Sequence, residues 1–257
     1  MRGHVAAALL AAAWLPGLAA AEPTHIEVRV LSRGAKFVGT SMGGAEIAIR
    51  DADTQELLAR GVTAGSTGDT AKIMQAGGGR HAPVSTEDAA VFRATLDLAA
   101  PRRLEVSAVG PRAQGQAANR VSSTMWVVPG KHVTGGDGWL LELPGFAVDV
   151  LEPPAHQRLR GAPRAVAVRA NVVLMCGCPV EPGGLWDAER YEVRAVVLRN
   201  GERLREVPMR YAGQTSQFAA ELTGVEPGVY EVVVYAHDPA NGNTGLDRTT
   251  FSVEPGP

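Results

Sequence analysis

Residues 228–237 read GVYEVVVYAH, and the alternation within this run decides the fold class. In an extended chain, one side of the run carries the apolar residues Tyr230, Val232, Val234 and Ala236. The opposite side carries Glu231, Val233, Tyr235 and His237. A period of two is typical of a β-strand with one buried face. We therefore expect a strand whose inner face carries Tyr230 and whose outer face carries His237.

Six further runs in the second half of the chain have strand character. Asn200-Gly201 joins two of them, and this pair favours a tight hairpin because both positions of a type I′ turn need positive φ. The seven predicted strands are residues 146–151, 165–174, 190–198, 202–209, 217–222, 229–237 and 247–253. Seven short strands in about 110 residues are typical of an immunoglobulin (Ig)-type sandwich.

The stretch GVEPGVYEVVVYAHDPANGNTG, residues 224–245, resembles the end of bacterial Ig-like repeats. In those repeats a Pro-Gly-x-Tyr turn opens a strand, and a loop containing Gly-Asn-Thr follows it. The resemblance implies that Tyr230 is the corner tyrosine, whose hydroxyl bonds back to the backbone. It implies a fold and leaves the function open, since such sandwiches serve many roles.

The first half of the chain is also expected to be a β-sandwich. FVGTSMGGAEIAIRDADTQELLARGVT, residues 37–63, resembles transthyretin-like, carboxypeptidase-regulatory-like sandwiches, in which a Gly-Ala pair opens a strand and an Asp-x-x-Thr turn leads to the next. Residues 104–109 and 121–128 supply further strands. Residues 61–90 depart from the pattern, and a loop of that length is either functional or mobile.

The N-terminus predicts export. Arg2 precedes an uncharged apolar run, residues 5–15, and small residues at 19–21 offer a cleavage site. The run is shorter than the roughly 20 apolar residues of a membrane span. We predict a cleaved signal peptide at residues 1–21, a first sandwich at 22–145 and a second at 146–257. The fold class is all-β, and the location is periplasmic or extracellular.

Composition and motifs argue against several functions. A net charge of −2 with mixed signs gives no basis for binding nucleic acid or an anionic membrane. Residues 39–43 match the hydrolase motif G-x-S-x-G, but a strand follows where a hydrolase has a helix. We read them as a glycine-rich turn and expect no enzymatic activity.

The two cysteines of the chain, Cys176 and Cys178, lie in the loop LMCGCPVEPGGLW, residues 174–186. Four states are open to them. Buried free thiols are disfavoured in an oxidising compartment. A disulfide across one glycine closes a small ring and is therefore more redox-active than structural. A disulfide to another chain is the third state, and two thiolates on a soft metal ion are the fourth.

A metal site has further support from the Ig-type fold. The loop that carries the cysteines lies at the same end of the sandwich as the loop after His237. Cys176, Cys178, His237 and the thioether of Met175 would suit Cu(I), with zinc the second choice. The alternation opposes this grouping, because it turns His237 to the outer face.

Three functions remain after these exclusions. The first is an exported accessory protein that holds copper at the tip of the second sandwich. The second is a structural or adhesive module that binds a protein partner in the periplasm or at the cell surface and carries a Cys176–Cys178 or intermolecular disulfide. The third is a thiol-disulfide redox protein, which ranks last because it lacks a C-x-x-C motif at a helix start.

Overall fold

The computed structural model describes residues 20–75, 79, 82–161 and 164–256, except for the side chain of Arg164. In this part of the chain nearly all regular structure is β, as the sequence predicts. The predicted signal peptide lies almost entirely outside the described residues and stays a prediction. The described helical segments are three to five residues each, and none has the length and apolar character of a membrane span.

In the described part of the chain, seven strands precede residue 145 and form two sheets. They are β1 (Glu22–Ser32), β2 (Glu46–Asp51), β3 (Leu57–Val62), β4 (Phe92–Leu98), β5 (Arg102–Gly110), β6 (Asn119–Val127) and β7 (Trp139–Leu143). A three-stranded sheet has the order β4-β1-β7, with β1 antiparallel to β4 and parallel to β7. A four-stranded sheet has the order β3-β2-β5-β6.

The remaining strands form the second pair of sheets. They are β8 (Phe146–Glu152), β9 (Gln157–Arg160), β10 (Arg164–Leu174), β11 (Glu192–Arg199), β12 (Glu202–Pro208), β13 (Arg210–Tyr211), β14 (Gln217–Val225), β15 (Gly228–His237) and β16 (Thr244–Glu254). One sheet has the order β13-β14-β10-β8 and the other β12-β11-β15-β16-β9. In Ig nomenclature these are D-E-B-A and C′-C-F-G-A′, so the second sandwich is Ig-like.

All seven strands predicted for the second half are present, and Tyr230 is a corner tyrosine. Its hydroxyl donates to the carbonyl oxygen of Glu226 at 2.8 Å, and its ring stacks on Phe251 with centroids 4.8 Å apart. The sequence did not predict β9 or β13. Strand β8 pairs with β10 up to Glu152, and the chain then crosses to the other sheet, where β9 pairs with β16. The alternation of side chains does not reveal this exchange between sheets.

Each sandwich buries its own apolar core. Ile26, Ile47, Ile49, Leu104 and Leu143 are fully buried in the first. Phe146, Leu174, Val197, Tyr230 and Phe251 are at most 2% exposed in the second. This separation follows the strands, since among the described residues no sheet contains strands from both sides of residue 145. That the chain divides between residues 145 and 146 into two units that fold independently stays a prediction.

The described residues of the 61–90 segment pack against the first sandwich. A short helix, α1 (Thr70–Met74), begins at Asp69, whose side chain accepts a hydrogen bond from the amide of Lys72. Phe37, Ala89 and Ala90 form a small buried cluster beneath the segment. The Asp137 carboxylate accepts hydrogen bonds from the amides of Val84 and Ser85. Several independent contacts therefore fasten this long connection to the fold.

We expect a fragment of residues 146–257 to fold alone, because its two sheets bury their own core. Trp186 is the only tryptophan in that fragment, so its fluorescence during urea denaturation reports on the second sandwich. A single cooperative transition is expected, at lower urea than in the whole chain because the fragment loses its contacts with the first sandwich. A gradual, non-cooperative change would show that the boundary is wrong.

Candidate functional site at the junction of the two sandwiches

Cys176 and Cys178 are joined to each other by a disulfide bond, and the chain has no free cysteine. The bond selects one of the four states that the sequence left open. Neither sulfur is a thiolate in this form, so the pair does not offer the ligands that the copper hypothesis requires. Metal binding by Cys176, Cys178, Met175 and His237 stays a prediction for the reduced protein.

The backbone closes tightly around the disulfide at the end of β10. The amide of Gly177 donates to the carbonyl of Leu174 at 2.8 Å. Gly177 has a φ of +75°, a conformation that glycine adopts without the steric cost of a β-carbon. The glycine between the two cysteines is therefore what lets the chain turn within one residue and bring the sulfurs together.

The disulfide is buried and is not on an exposed tip. Cys176 is 2% exposed and Cys178 is 3% exposed, and both belong to the core of the second sandwich. On the other side of the turn, a β-carbon placed on Gly177 would lie 2.8 Å from Sδ of Met42. Met42 belongs to the core of the first sandwich, so the loop is enclosed by both halves of the chain.

The outer face of the β10-β8 sheet is covered by the first sandwich. Val172 and Leu174 of β10 lie in the core of the second sandwich. Their neighbours Val173 and Met175 point the other way and pack into the core of the first, as does Ala147 of β8. Met175 is only 1% exposed. One sheet of the second sandwich thus contributes to two hydrophobic cores.

Three side chains bond across the junction. The indole of Trp186 donates to the carbonyl of Gly34 at 3.0 Å. The Asn243 amide donates to the carbonyl of Arg33 at 3.0 Å and accepts from the amide of Gly145 at 3.1 Å. Gln116 donates to the carbonyl of Val148 at 3.0 Å. Hydrogen bonds therefore accompany the hydrophobic contacts at the junction. In the buried Asn243, both the NH2 group and the oxygen of the side-chain amide take part.

His237 has the orientation that the alternation predicts. It lies at the end of β15, between Glu192 and Thr244 on the neighbouring strands, and is partly exposed on the outer face. Among the described residues, no group of three or more His, Cys, Asp or Glu side chains is arranged to hold a metal ion. The grouping of His237 with the two cysteines in one metal site stays a prediction.

Met42 is the junction residue that the sequence reasoning missed. It lies in the turn read as a glycine-rich connection, residues 39–43, and is 133 positions before Met175. No spacing in the sequence relates Met42 to the cysteines. Only the packing of one sandwich on the other brings its thioether to Gly177.

Two carboxylates lie close together where β8 approaches β16. Burial, and then the negative charge of Asp247, raise the pKa of Asp149 above its ordinary value. Asp247 accepts a hydrogen bond from the amide of Val150 at 2.8 Å, which fixes its carboxylate beside β8. The negative charge of Asp149 is therefore destabilising in the folded protein at neutral pH.

The outer face of the five-stranded sheet carries a second candidate site. Its centre is an apolar group, here named the outer strip, formed by Val196, Val233, Tyr235 and Leu246. The strand register places Val196 opposite Val233 and Tyr235 opposite Leu246, and Leu246 is 44% exposed. An open cavity of about 420 Å³ lies along Val233, Tyr235 and Leu246.

Charges at the margin of the outer strip are paired with one another. Arg194 contacts Glu206 at 2.8 Å, and Arg248 contacts Glu231 at 3.4 Å. The hydroxyl of Tyr235 donates to Glu206 at 2.8 Å. An apolar centre with a polar margin is the usual layout of a protein-binding surface.

The sequence matches no protein-family model and no curated protein. Among solved structures, an engineered protein aligns with 50% of this chain and 24% of its own length, at 17% identity and a TM-score of 0.32. The fibronectin(III)-like modules of Clostridium thermocellum CbhA align with 91% of this chain and 94% of theirs, at 14% identity and a TM-score of 0.30. CopC from Methylosinus trichosporium OB3b aligns with 42% of this chain and 94% of its own, at 18% identity and a TM-score of 0.29. At these scores the likeness assigns neither a family nor a function.

We expect Asp149→Asn to raise the melting temperature at pH 7, because it removes the unfavourable charge and keeps the size of the side chain. A raised pKa in the folded state means that the wild-type carboxyl favours folding when protonated and loses that contribution as the pH rises through the folded pKa. The difference between the two proteins should therefore shrink as the pH falls from the raised folded pKa towards 3.8, the ordinary value, and be small below it. Melting curves across this range check the expectation, and a pH-independent difference would contradict it.

Proposed function

We propose that the protein is an exported, non-catalytic binding module that holds a protein partner on the outer strip. The single observation that carries the proposal is the apolar centre of Val196, Val233, Tyr235 and Leu246, left uncovered on the outer face of an Ig-like sheet. Contiguous exposed apolar surface rimmed by polar groups marks interaction sites in soluble proteins.

The charges around the outer strip indicate the chemistry of the partner. Because Arg194 and Arg248 already contact Glu206 and Glu231, the margin offers no unopposed cluster of positive charge to a polyanion. Tyr235 combines a broad apolar ring with a hydroxyl held by Glu206, a combination common among the residues that dominate binding energy. The expected partner therefore presents an apolar surface of its own.

The junction supports this function by fixing how the strip is presented. The Cys176–Cys178 loop and the bonds of Trp186 and Asn243 connect the second sandwich to the first. The outer strip lies on the other sheet of the second sandwich, away from the face that the first sandwich covers. One face of the Ig-like sandwich thus serves for internal attachment and the opposite face for recognition.

Chemical cross-linking in intact cells tests the outer strip. We expect Leu246→Glu to reduce the cross-linked adduct with the partner by about tenfold or more, since it places a charge at the centre of an apolar contact. Val229→Glu is the matched control, because Val229 lies on the same face of β15, is 61% exposed and is outside the strip. Equal adduct from both variants, with unchanged melting temperatures, would remove the strip from the interaction.

A second candidate function is the binding of a soft metal ion by the reduced protein. The observation that favours it is the presence of four sulfur-bearing residues at the junction, Met42, Met175, Cys176 and Cys178. Thiolate and thioether ligands select Cu(I) over harder ions. Since the disulfide occupies both cysteine sulfurs, this function requires a thiol reductant first.

Thiol and metal titrations of the same sample test this candidate. We expect no reactive thiol in the oxidised protein after unfolding and two after reduction. Under anaerobic conditions the reduced protein should withdraw one Cu(I) from a chromophoric chelator, and the oxidised protein should withdraw none. If Cys176→Ser binds as tightly as the reduced wild type, the cysteine pair is not the site.

A further inference from the structure

We propose that the first sandwich carries a separate binding site for a small organic carboxylate, in a cavity on the outer face of β1 and β4. The cavity has a volume of about 320 Å³, at the lower end of the range typical of small-molecule sites. It is distinct from the outer strip, so the inference goes beyond the protein-binding function proposed above. The polar side chains that line the cavity are His25, Glu27, Arg93, Thr95 and Thr134.

The strand register brings four of these side chains together. In the ladder between β1 and β4, His25 lies opposite Thr95 and Glu27 lies opposite Arg93. Alternate residues of a strand share a face, so these side chains lie on the outer side while Ile26 between them is fully buried. Nδ1 of His25 is 2.9 Å from Oγ1 of Thr95, and Nε of Arg93 donates to Oε1 of Glu27 at 2.9 Å. The polar groups therefore converge because of the sheet itself.

The connection after β6 forms one wall of the cavity and is fastened to β1. The amide of Val133 donates to the carbonyl of His25 at 2.8 Å, and the amide of Glu27 donates to the carbonyl of Val133 at 3.0 Å. The imidazole of His132 accepts from the amide of His25 at 3.2 Å, and the two rings lie 4.5 Å apart. Thr134 follows directly and is thereby held at the edge of the cavity. The cavity is thus preformed, which lowers the entropic cost of binding.

Arg93 is the cation that the cavity leaves incompletely neutralised. Glu27 divides its carboxylate between two guanidinium groups, since Oε1 accepts from Nε of Arg93 and Oε2 accepts from Nη1 of Arg29. Arg29 is buried and donates also to the carbonyl of Asp137, whereas the side chain of Arg93 is 62% exposed. Within the described part of the chain, Nη1 and Nη2 of Arg93 have no hydrogen-bond partner. The outer end of this guanidinium is therefore available to a ligand.

Glu27 orients Arg93 and remains charged while it does so. Burial acts to raise the pKa of Glu27, but the hydrogen bonds and positive charges of Arg93 and Arg29 outweigh it and set the pKa below its ordinary value. The two free nitrogens of Arg93 then present parallel N–H groups, which match the two oxygens of a carboxylate. The hydroxyl of Thr134 is a further donor. One guanidinium also suits a singly charged ligand better than a phosphate dianion.

Titration of the full chain with sodium benzoate tests the site, with proton–carbon NMR signals of the histidine rings as the readout. We expect saturable shifts of the His25 and His132 signals and none with sodium chloride at equal concentration. Arg93→Gln should weaken binding by about tenfold or more, because it removes the charged donors and keeps a polar side chain. Arg60→Gln is the matched control, since the Arg60 side chain is also 62% exposed and contacts one carboxylate, that of Glu46, at 2.8 Å.

The remaining signals and a second anion complete the experiment. The rings of His156 and His237, in the second sandwich, should not shift with benzoate. Inorganic phosphate should bind more weakly, and tighter binding of phosphate than of benzoate would show that the site does not select carboxylates. The absence of a saturable shift with benzoate, equal shifts with chloride, or equal weakening by Arg93→Gln and Arg60→Gln would overturn the proposal. Melting temperatures of both variants check that they are folded.

Discussion

The packing of Gly177 against Met42 is the contact on which the arrangement of the molecule depends. Glycine is required there for two reasons: its positive φ lets the two flanking cysteines join, and the absence of a side chain leaves the space that the methionine thioether occupies. On either side of this contact the two hydrophobic cores approach each other through Met175 and the disulfide. The bonds from Trp186 and Asn243 then fix the orientation.

The strands of the second sandwich were predictable because one face of each is buried and the other is polar. The residues of β15 show the rule clearly, since Tyr230, Val232, Val234 and Ala236 are all buried while His237 is not. The resemblance of residues 224–245 to Ig-like repeats also predicted the hydrogen bond of the Tyr230 hydroxyl. These features depend only on residues that are close together in the sequence, so the sequence alone is enough to predict them.

The junction was not predictable by the same reasoning. Alternation tells whether a residue faces the core of its own sandwich, but it does not tell what covers the opposite face. Val173 and Met175 lie on that opposite face of β10 and are buried by the first sandwich. The cysteine loop was placed at the correct end of the strand, but its burial and its contact with Met42 depend on a partner sheet far away in the sequence.

The short separation of the two cysteines bears on how the molecule is assembled. Closing a ring between residues two positions apart needs no distant part of the chain, so the bond can form in the unfolded segment once an oxidant reaches it. The cysteine turn can therefore acquire its shape before either sandwich has closed. With this turn formed early, whichever sandwich folds first would meet a docking surface that is already shaped.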